Sequence, residues 1–308
     1  MWKVEIGKRE EGKKRKAKIG MRKRRRRGTR DQNGLFMEKS PKPKDNLPIG
    51  LSLLRRLPIP RKLGILDGLF GQELQNLGVD WVASSAGPVW KLDLRNATHR
   101  WIVYGDYEGP GFIPWAKKWI SKDSVVVDSG ANIGQVLLYL APTIRTGKYI
   151  AVEPNPVARA WLVECLERYP EWPVIVERFG LGALHGRASL FGTEGESAVG
   201  SHGSLKTGAG DIEVITLDKY CSEKGIEKID LWKLDMEGGE EAALKGARDL
   251  LKRKAIKALV VETDEARFER DRENMKAQGY EAFTWGGALL QRVKKGFYGN
   301  VLFVPQGS

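Results

Sequence analysis

Asp235 and Glu237 stand two residues apart, with Lys233 two residues before them and Gly238 and Gly239 directly after. In residues 229–235, Ile-Asp-Leu-Trp-Lys-Leu-Asp, the strand period of two puts Leu231, Lys233 and Asp235 on one face. The two carboxylates then fall at the carboxyl end of that strand, the rim where open α/β sheets bind ligands. Carboxylates there could take a proton from a hydroxyl, a role that typically supplies about 10²–10⁴-fold in rate. Holding two reactants in line removes more of the barrier. Lys233 could favour a developing alkoxide. The plainer alternative is that Asp235 and Glu237 only cap the helix starting near Glu240, but two acids and a lysine exceed what a cap needs.

A second constellation lies upstream. Val125 to Val127 is a β-branched run suited to a buried parallel strand, closed by Asp128. Gly130 and Gly134 permit a tight turn that brings backbone near a ligand, Asn132 sits between them, and a helix follows until Pro142. Residues 149–152 form another apolar strand, ended by Glu153, whose carboxylate is placed to accept bonds from both hydroxyls of a ribose. Together these imply a nucleoside-containing cofactor. A dinucleotide site wants G-x-G-x-x-G, and the middle glycine is absent from Gly130-Ala131-Asn132-Ile133-Gly134. Asp128, read as part of the loop, would repel a pyrophosphate and suit a ligand bearing an ammonium and a sulfonium. S-adenosyl-L-methionine fits that description. Asn132 is a candidate for its amino-acid end. Asn155 and Pro156 read as N-cap and first residue of the next helix.

The elements that must position these residues alternate from residue 123 onward, predicting a Rossmann-like, doubly wound parallel α/β sheet. Strands are expected at 124–128, 149–153, 173–177, 229–235, 257–262 and 299–304. Helices are expected at 133–141, 156–169, 239–252 and 265–277. Residues 188–191 and 212–216 suggest an extra hairpin pairing. Ahead of the sheet, residues 63–77 have helical apolar spacing, and residues 81–104 read as two or three short strands. The expected organisation is a basic disordered tail (1–48), a Pro-rich linker (49–62), a small N-terminal cap (63–122) and the cofactor-binding domain (123–308). The Gly/Ser-rich loop at 192–211, with His202, is long enough to be a lid or specificity loop. His99 and His185 read as structural. The tryptophans at 81, 90, 101 and 115 are expected in core and cap packing. No cluster shows metal-ligand spacing and no metal is expected, although Asp235 and Glu237 are groups that could take Mg²⁺.

Three stretches resemble the FkbM-type S-adenosylmethionine-dependent methyltransferases: Val-Asp-Ser-Gly-Ala-Asn-Ile-Gly at 127–134, Val-Glu-Pro-Asn-Pro at 152–156, and residues 229–247, which carry K-x-D-x-E-G-x-E. The resemblance spans roughly residues 90–305. Tyr104 to Gly109 looks like the family's lead-in to the first strand, which implies that Tyr107 and Glu108 lie near the methionine moiety. The resemblance also implies class I methyltransferase architecture with an antiparallel last strand at the sheet edge. It implies methyl transfer, with a preference for oxygen, onto a small molecule or glycan.

Charge is unevenly placed. The chain has 308 residues and a formal charge of +13; residues 1–48 hold 18 Lys/Arg against 6 Asp/Glu, so +12 sits there and about +1 on the rest. Such a segment suits weak contact with nucleic acid or an anionic surface, or is a solvated extension preceding a true start at Met21. It lacks the apolar core of a secretory signal. No run approaches the roughly 20 apolar residues of a membrane span. Cys165 and Cys221 are too few for a disulfide framework or a zinc site. A cytoplasmic enzyme is expected. The competing readings are an RNA methyltransferase anchored by the basic segment, and a non-catalytic nucleic-acid-binding protein on the same fold. The near-neutral body and the acids at 128, 153, 235 and 237 weigh against the latter.

Overall fold

The structure is a computed structural model that describes residues 47–57, 59–105, 111–191, 204–285 and 287–307. It opens with α1 (Ile49–Leu54) and α2 (Lys62–Leu77), then an antiparallel hairpin of β1 (Val79–Ala83) and β2 (Val89–Asp93), then α3 (Ala97–Tyr104) and α4 (Phe112–Trp119). Two expectations are corrected here. Residues 49–62 are not only linker: α1 carries the fully buried Leu51, and the Arg55 guanidinium donates to the Ala83 carbonyl at 2.9 Å. The third strand expected before Tyr104 is instead α3, because Asn96 caps it by accepting from the Thr98 N–H.

Next come β3 (Val125–Ser129), α5 (Leu137–Leu140) with a 3₁₀ turn at Ala141–Thr143, β4 (Lys148–Val152), α6 (Pro156–Leu166) and β5 (Val174–Glu177). After them lie β6 (Gly180–Leu181), β7 (Gly186–Phe191), β8 (Ser204–Thr207), β9 (Ile212–Ile215) and α7 (Leu217–Lys224). The chain ends with β10 (Leu231–Leu234), α8 (Glu240–Lys245), α9 (Arg248–Lys252), β11 (Leu259–Asp264), α10 (Glu265–Ala277), β12 (Tyr280–Phe283) and β13 (Tyr298–Pro305).

Seven strands form the main sheet in the order β12-β13-β11-β10-β3-β4-β5. β5, β4, β3, β10 and β11 are parallel, and β13 runs antiparallel to both β11 and β12. The last strand is antiparallel, as the resemblance implies, but it is second from the edge: the edge strand is β12, which the sequence reading missed. The reversal of winding falls between β3 and β10, the place where such sheets bind ligands. Four shorter strands make a second sheet, β6-β9-β7-β8. It contains the expected pairing of 188–191 with 212–216, shifted to Arg187 opposite Glu213. The loop expected over 192–211 is shorter, since Ser204–Thr207 pairs with β7.

Helix α6 stops at Leu166, three residues before its expected end, α7 was not expected, and two further helices differ for a visible reason. The helix after Gly134 starts only at Leu137, because residues 133–136 are spent on the turn. The helix expected at 239–252 is broken at Gly246, where a Cβ would stand 2.0 Å from the Gly182 carbonyl oxygen.

Strand alternation sorts the core into two layers. Val127, Trp232, Leu259 and Phe303 pack on one face, while Val126, Leu231, Val260 and Leu302 pack on the other. The second face is covered by the N-terminal segment through Leu66, Leu74, Trp90 and Ile102. Trp90 is fully buried and Trp115 nearly so, in line with the packing role expected of them. Both cysteines are buried and free. His99 is also buried, and its Nδ1 accepts from the Asp93 N–H at 2.9 Å. Among the described residues, no helix is long and apolar enough to cross a membrane.

Candidate active site at the carboxyl ends of four strands

The face covered by the N-terminal segment is apolar until the carboxyl ends of the strands, where it turns polar. By alternation, Asp128 follows Val126, Lys233 and Asp235 follow Leu231, and Glu262 follows Val260. Register then makes neighbours of them: Lys233 lies beside Asp128 on one side and Val260 on the other. The Lys233 ammonium pairs with an Asp235 oxygen at 2.7 Å while the lysine is 3% exposed.

Asp128 lies in the strand, as the expected strand over 124–128 has it, and not in the loop: it is one residue short of the end of β3 and 1% exposed. One of its oxygens accepts from the Tyr149 hydroxyl at 2.8 Å; the other, Oδ1, is buried and has no hydrogen-bond partner among the described residues. Burial raises its pKa, against the nearby Lys233 charge and the Tyr149 bond. A buried acceptor left open in this way marks a place for a donor. Asn132 Oδ1 is a second buried acceptor with no partner among the described residues, on a residue held at φ +49°.

Glu153 follows β4 and is 6% exposed. Its two oxygens accept the N–H groups of Asn132 and Asn155, each at 2.7 Å, so the carboxylate braces the turn after β3 against the start of α6. Each oxygen keeps a further lone pair for a ligand hydroxyl. Burial pushes the Glu153 carboxyl up to about 7, although both backbone bonds oppose the rise. Asn155 caps α6 and Pro156 is its first residue, as expected.

The glycines also serve the packing of the protein itself. At Gly130 (φ +82°) a Cβ would lie 1.8 Å from the Asp235 carbonyl oxygen, and at Gly134 (φ +90°) 2.8 Å from Trp90 and Leu162. Their close approaches are to protein, and Gly130 is what lets β3 and the Asp235 turn meet. The Gly130 and Ala131 N–H groups both donate to the Val152 carbonyl. The loop is thus shaped by its own hydrogen bonds, and α5, with four residues, presents no helix terminus to a ligand.

Glu262, Glu240, Tyr149 and Tyr298 were missed. Glu262 joins Asp235 and Glu237, with one carboxylate oxygen from each lying within 4.8 Å of the others. Its third member comes from β11, so the trio has no compact spacing in the sequence; an acidic trio alone assigns no metal. Burial and then repulsion by Asp235 push the Glu262 carboxyl up to about 7, while a hydrogen bond with Tyr298 lowers it. The turn before α8 is held by Glu240, whose carboxylate accepts the Met236 N–H at 2.8 Å and the Gly238 N–H at 3.1 Å. With Glu240 in that role, no side-chain cap by Asp235 or Glu237 is needed. Glu237 itself takes a left-handed backbone, φ +54°. The only advance signal for Glu262 was its place at the end of a predicted strand next to that of Asp235. Tyr107, Glu108 and His202 lie outside the described residues.

A parallel-rich sheet with an antiparallel strand before its edge, and acids at the ends of the strands flanking its winding reversal, defines a class I methyltransferase-like protein. The methyltransferase FkbM domain model matches residues 128–282, half the chain, and the chain belongs to that family. Two curated relatives are the AMB antimetabolite synthetase AmbE of Pseudomonas aeruginosa, 28% identical over 185 residues, and the hexuronic acid methyltransferase AglP of Haloferax volcanii, 30% identical over 141 residues. These matches cover 47% and 46% of this chain, and the chain spans 8% and 56% of the length of those relatives. Among solved structures, the methyltransferase FkbM from Methylobacillus flagellatus KT is 19% identical with a TM-score of 0.39, covering 60% of this chain and 44% of that one. The METTL16 methyltransferase domain is 11% identical with a TM-score of 0.44, covering 91% and 87%.

Proposed function

We propose that the chain methylates a hydroxyl oxygen of a sugar-bearing acceptor, with S-adenosyl-L-methionine as the methyl donor. The observation that carries this reading is the open, buried Oδ1 of Asp128 in register beside Lys233, at the winding reversal of the sheet. The residues present fit the cofactor: Asp128 and Asn132 offer two buried acceptors for an ammonium, and Glu153 offers spare lone pairs to a ribose diol. When bound, the cofactor supplies an activated methyl on sulfur.

The chain's own part is alignment and proton removal. Asp235, Glu237 and Glu262 converge on one spot, and the acceptor hydroxyl hydrogen-bonds to this trio. Glu262 receives the proton, because an acid held near 7 exchanges protons most effectively at neutral pH. Lys233, fixed by Asp235, leaves positive charge beside the oxygen as it loses that proton. Tyr107 and Glu108 are assigned to the methionine end on the resemblance alone. The sugar acceptor is supported by the hexuronic acid methyltransferase among the relatives.

The test is transfer of labelled methyl from S-adenosyl-L-methionine to uronate-containing oligosaccharides, followed by mild alkali. Label on a hydroxyl survives as an ether, whereas label on a carboxylate is released. Alkali-labile label, or label on nitrogen, overturns the hydroxyl assignment. A second reading, RNA as acceptor, is favoured by the +12 charge of residues 1–48. It requires that labelling of RNA fall steeply with salt.

A further inference from the structure

Beyond Glu153, away from the acidic trio, the carboxyl ends of β4 and β5 meet the second sheet around a cavity of about 400 Å³. Three guanidiniums line it: Arg159 from α6, Arg178 from the turn between β5 and β6, and Arg187 from β7. Two acidic residues, Asp211 and Glu213, also line it, as do Pro154 and Pro156 near the start of α6. Among the described residues, none of the three arginines has a carboxylate within ion-pair distance.

Their donors are only partly used. Arg159 spends Nη1 on the Glu153 and Pro154 carbonyls, each at 2.9 Å, leaving Nε and Nη2. Arg187 spends Nε on the Gly210 carbonyl and Nη2 on that of Asp211, leaving Nη1. Arg178 is exposed and donates to no acceptor among the described residues. Arg159 and Arg178 are also close enough to repel: burial lowers the Arg159 pKa, Glu153 opposes this, and Arg178 lowers it further. Two like charges beside one cavity, one held by the backbone and both with donors unspent, favour a bound oxyanion, which accepts bonds from guanidinium and cancels the repulsion.

We propose that this cavity is an oxyanion subsite that receives the carboxylate or phosphate of an acidic, sugar-bearing methyl acceptor. The assignment to the acceptor rests on the function proposed above; the preference for an oxyanion rests on the arginines. Arg159 links the subsite to the cofactor side, since the carbonyl it holds belongs to Glu153.

The test titrates inorganic phosphate, glucuronate and neutral glucose into the full chain by calorimetry, with Arg178→Gln and Arg159→Gln alongside. The basic N-terminal segment is common to all three proteins, so differences between them isolate the cavity. The expected result is binding of phosphate or glucuronate but not glucose, weakened roughly tenfold by either substitution and by added salt. Tighter glucuronate binding names a uronate carboxylate as the natural group, and tighter phosphate binding names a phosphate ester. Arg178→Gln removes a side chain with no protein partner among the described residues, so its loss of binding is not a folding effect. Equal anion binding by all three proteins, or none by the wild type, overturns the subsite. S-adenosylhomocysteine is titrated in parallel: if it binds while the anions do not, the subsite alone fails. If it fails to bind, the methyltransferase reading behind the acceptor assignment fails.

Discussion

Lys233 on β10 lies in register beside Asp128 on β3, and its ammonium closes on Asp235 at 2.7 Å. One buried cation thus stands between the acid of the cofactor strand and an acid of the proposed proton-accepting group. Removing it leaves Asp128 buried with, among the described residues, the Tyr149 hydroxyl as its one hydrogen-bond partner. Lys233→Met is expected to destabilise the fold by about 2–4 kcal/mol in denaturant unfolding. An unchanged midpoint would show that this pair is not a structural link.

In the proposed reaction, Glu262 would carry the pH dependence. Its carboxyl, pushed up to about 7, must be ionised to accept a proton, so kcat should rise with pH through that region. Glu262→Gln is expected to lower kcat about 10²–10⁴-fold while cofactor affinity is kept. Tyr298→Phe removes the bond that lowers the Glu262 pKa, and should move the acid limb of the profile to higher pH. A profile that ignores both substitutions would take the proton-accepting role away from Glu262.

Glu153 ties pH to stability in the unliganded protein. Its folded pKa, about 7, exceeds its ordinary 4.5, so the folded state holds a proton that the unfolded state gives up. The stability linked to that proton is fully present below about 4.5 and is lost as pH rises to about 7. Relative to wild type, Glu153→Gln should therefore gain stability over that window, by at most about 3 kcal/mol. Parallel melting curves at pH 4.5 and 7.5 measure the difference. A constant gap between the two proteins would contradict the raised pKa.

Gly130→Ala is expected to be among the most damaging single changes. The new methyl would stand 1.8 Å from the Asp235 carbonyl oxygen, on a backbone at φ +82°. Both the clash and the left-handed conformation penalise a side chain, costing about 4 kcal/mol or preventing folding. A well-folded variant with a small loss in Tm would show that the β3 and β10 turns separate readily.

What could be read from the sequence followed a physical pattern. The β-branched run at Val125–Val127, the apolar strand before Glu153, and the Asn155-Pro156 start of α6 are local signals, and each fell within a residue or two of its place. Helix α10 was placed without error because Asp264, its N-cap, and its last residue Ala277 bracket an uninterrupted segment. Decisions made by partners distant in sequence were not legible. Gly246 breaks a helix because the Gly182 carbonyl approaches it, and Glu262 joins the acids because β11 happens to pair with β10. The burial of Asp128 was not legible because it depends on Tyr149 and Lys233, which arrive from neighbouring strands.

The most direct test of the central claim is calorimetric titration of S-adenosyl-L-methionine into the full chain, beside an Asp128→Asn, Glu153→Gln double variant that keeps both side chains' shapes. Micromolar binding by the wild type, lost or weakened at least roughly a hundredfold in the variant, is the predicted result. Binding that survives both substitutions, or no binding by the wild type, would contradict the site.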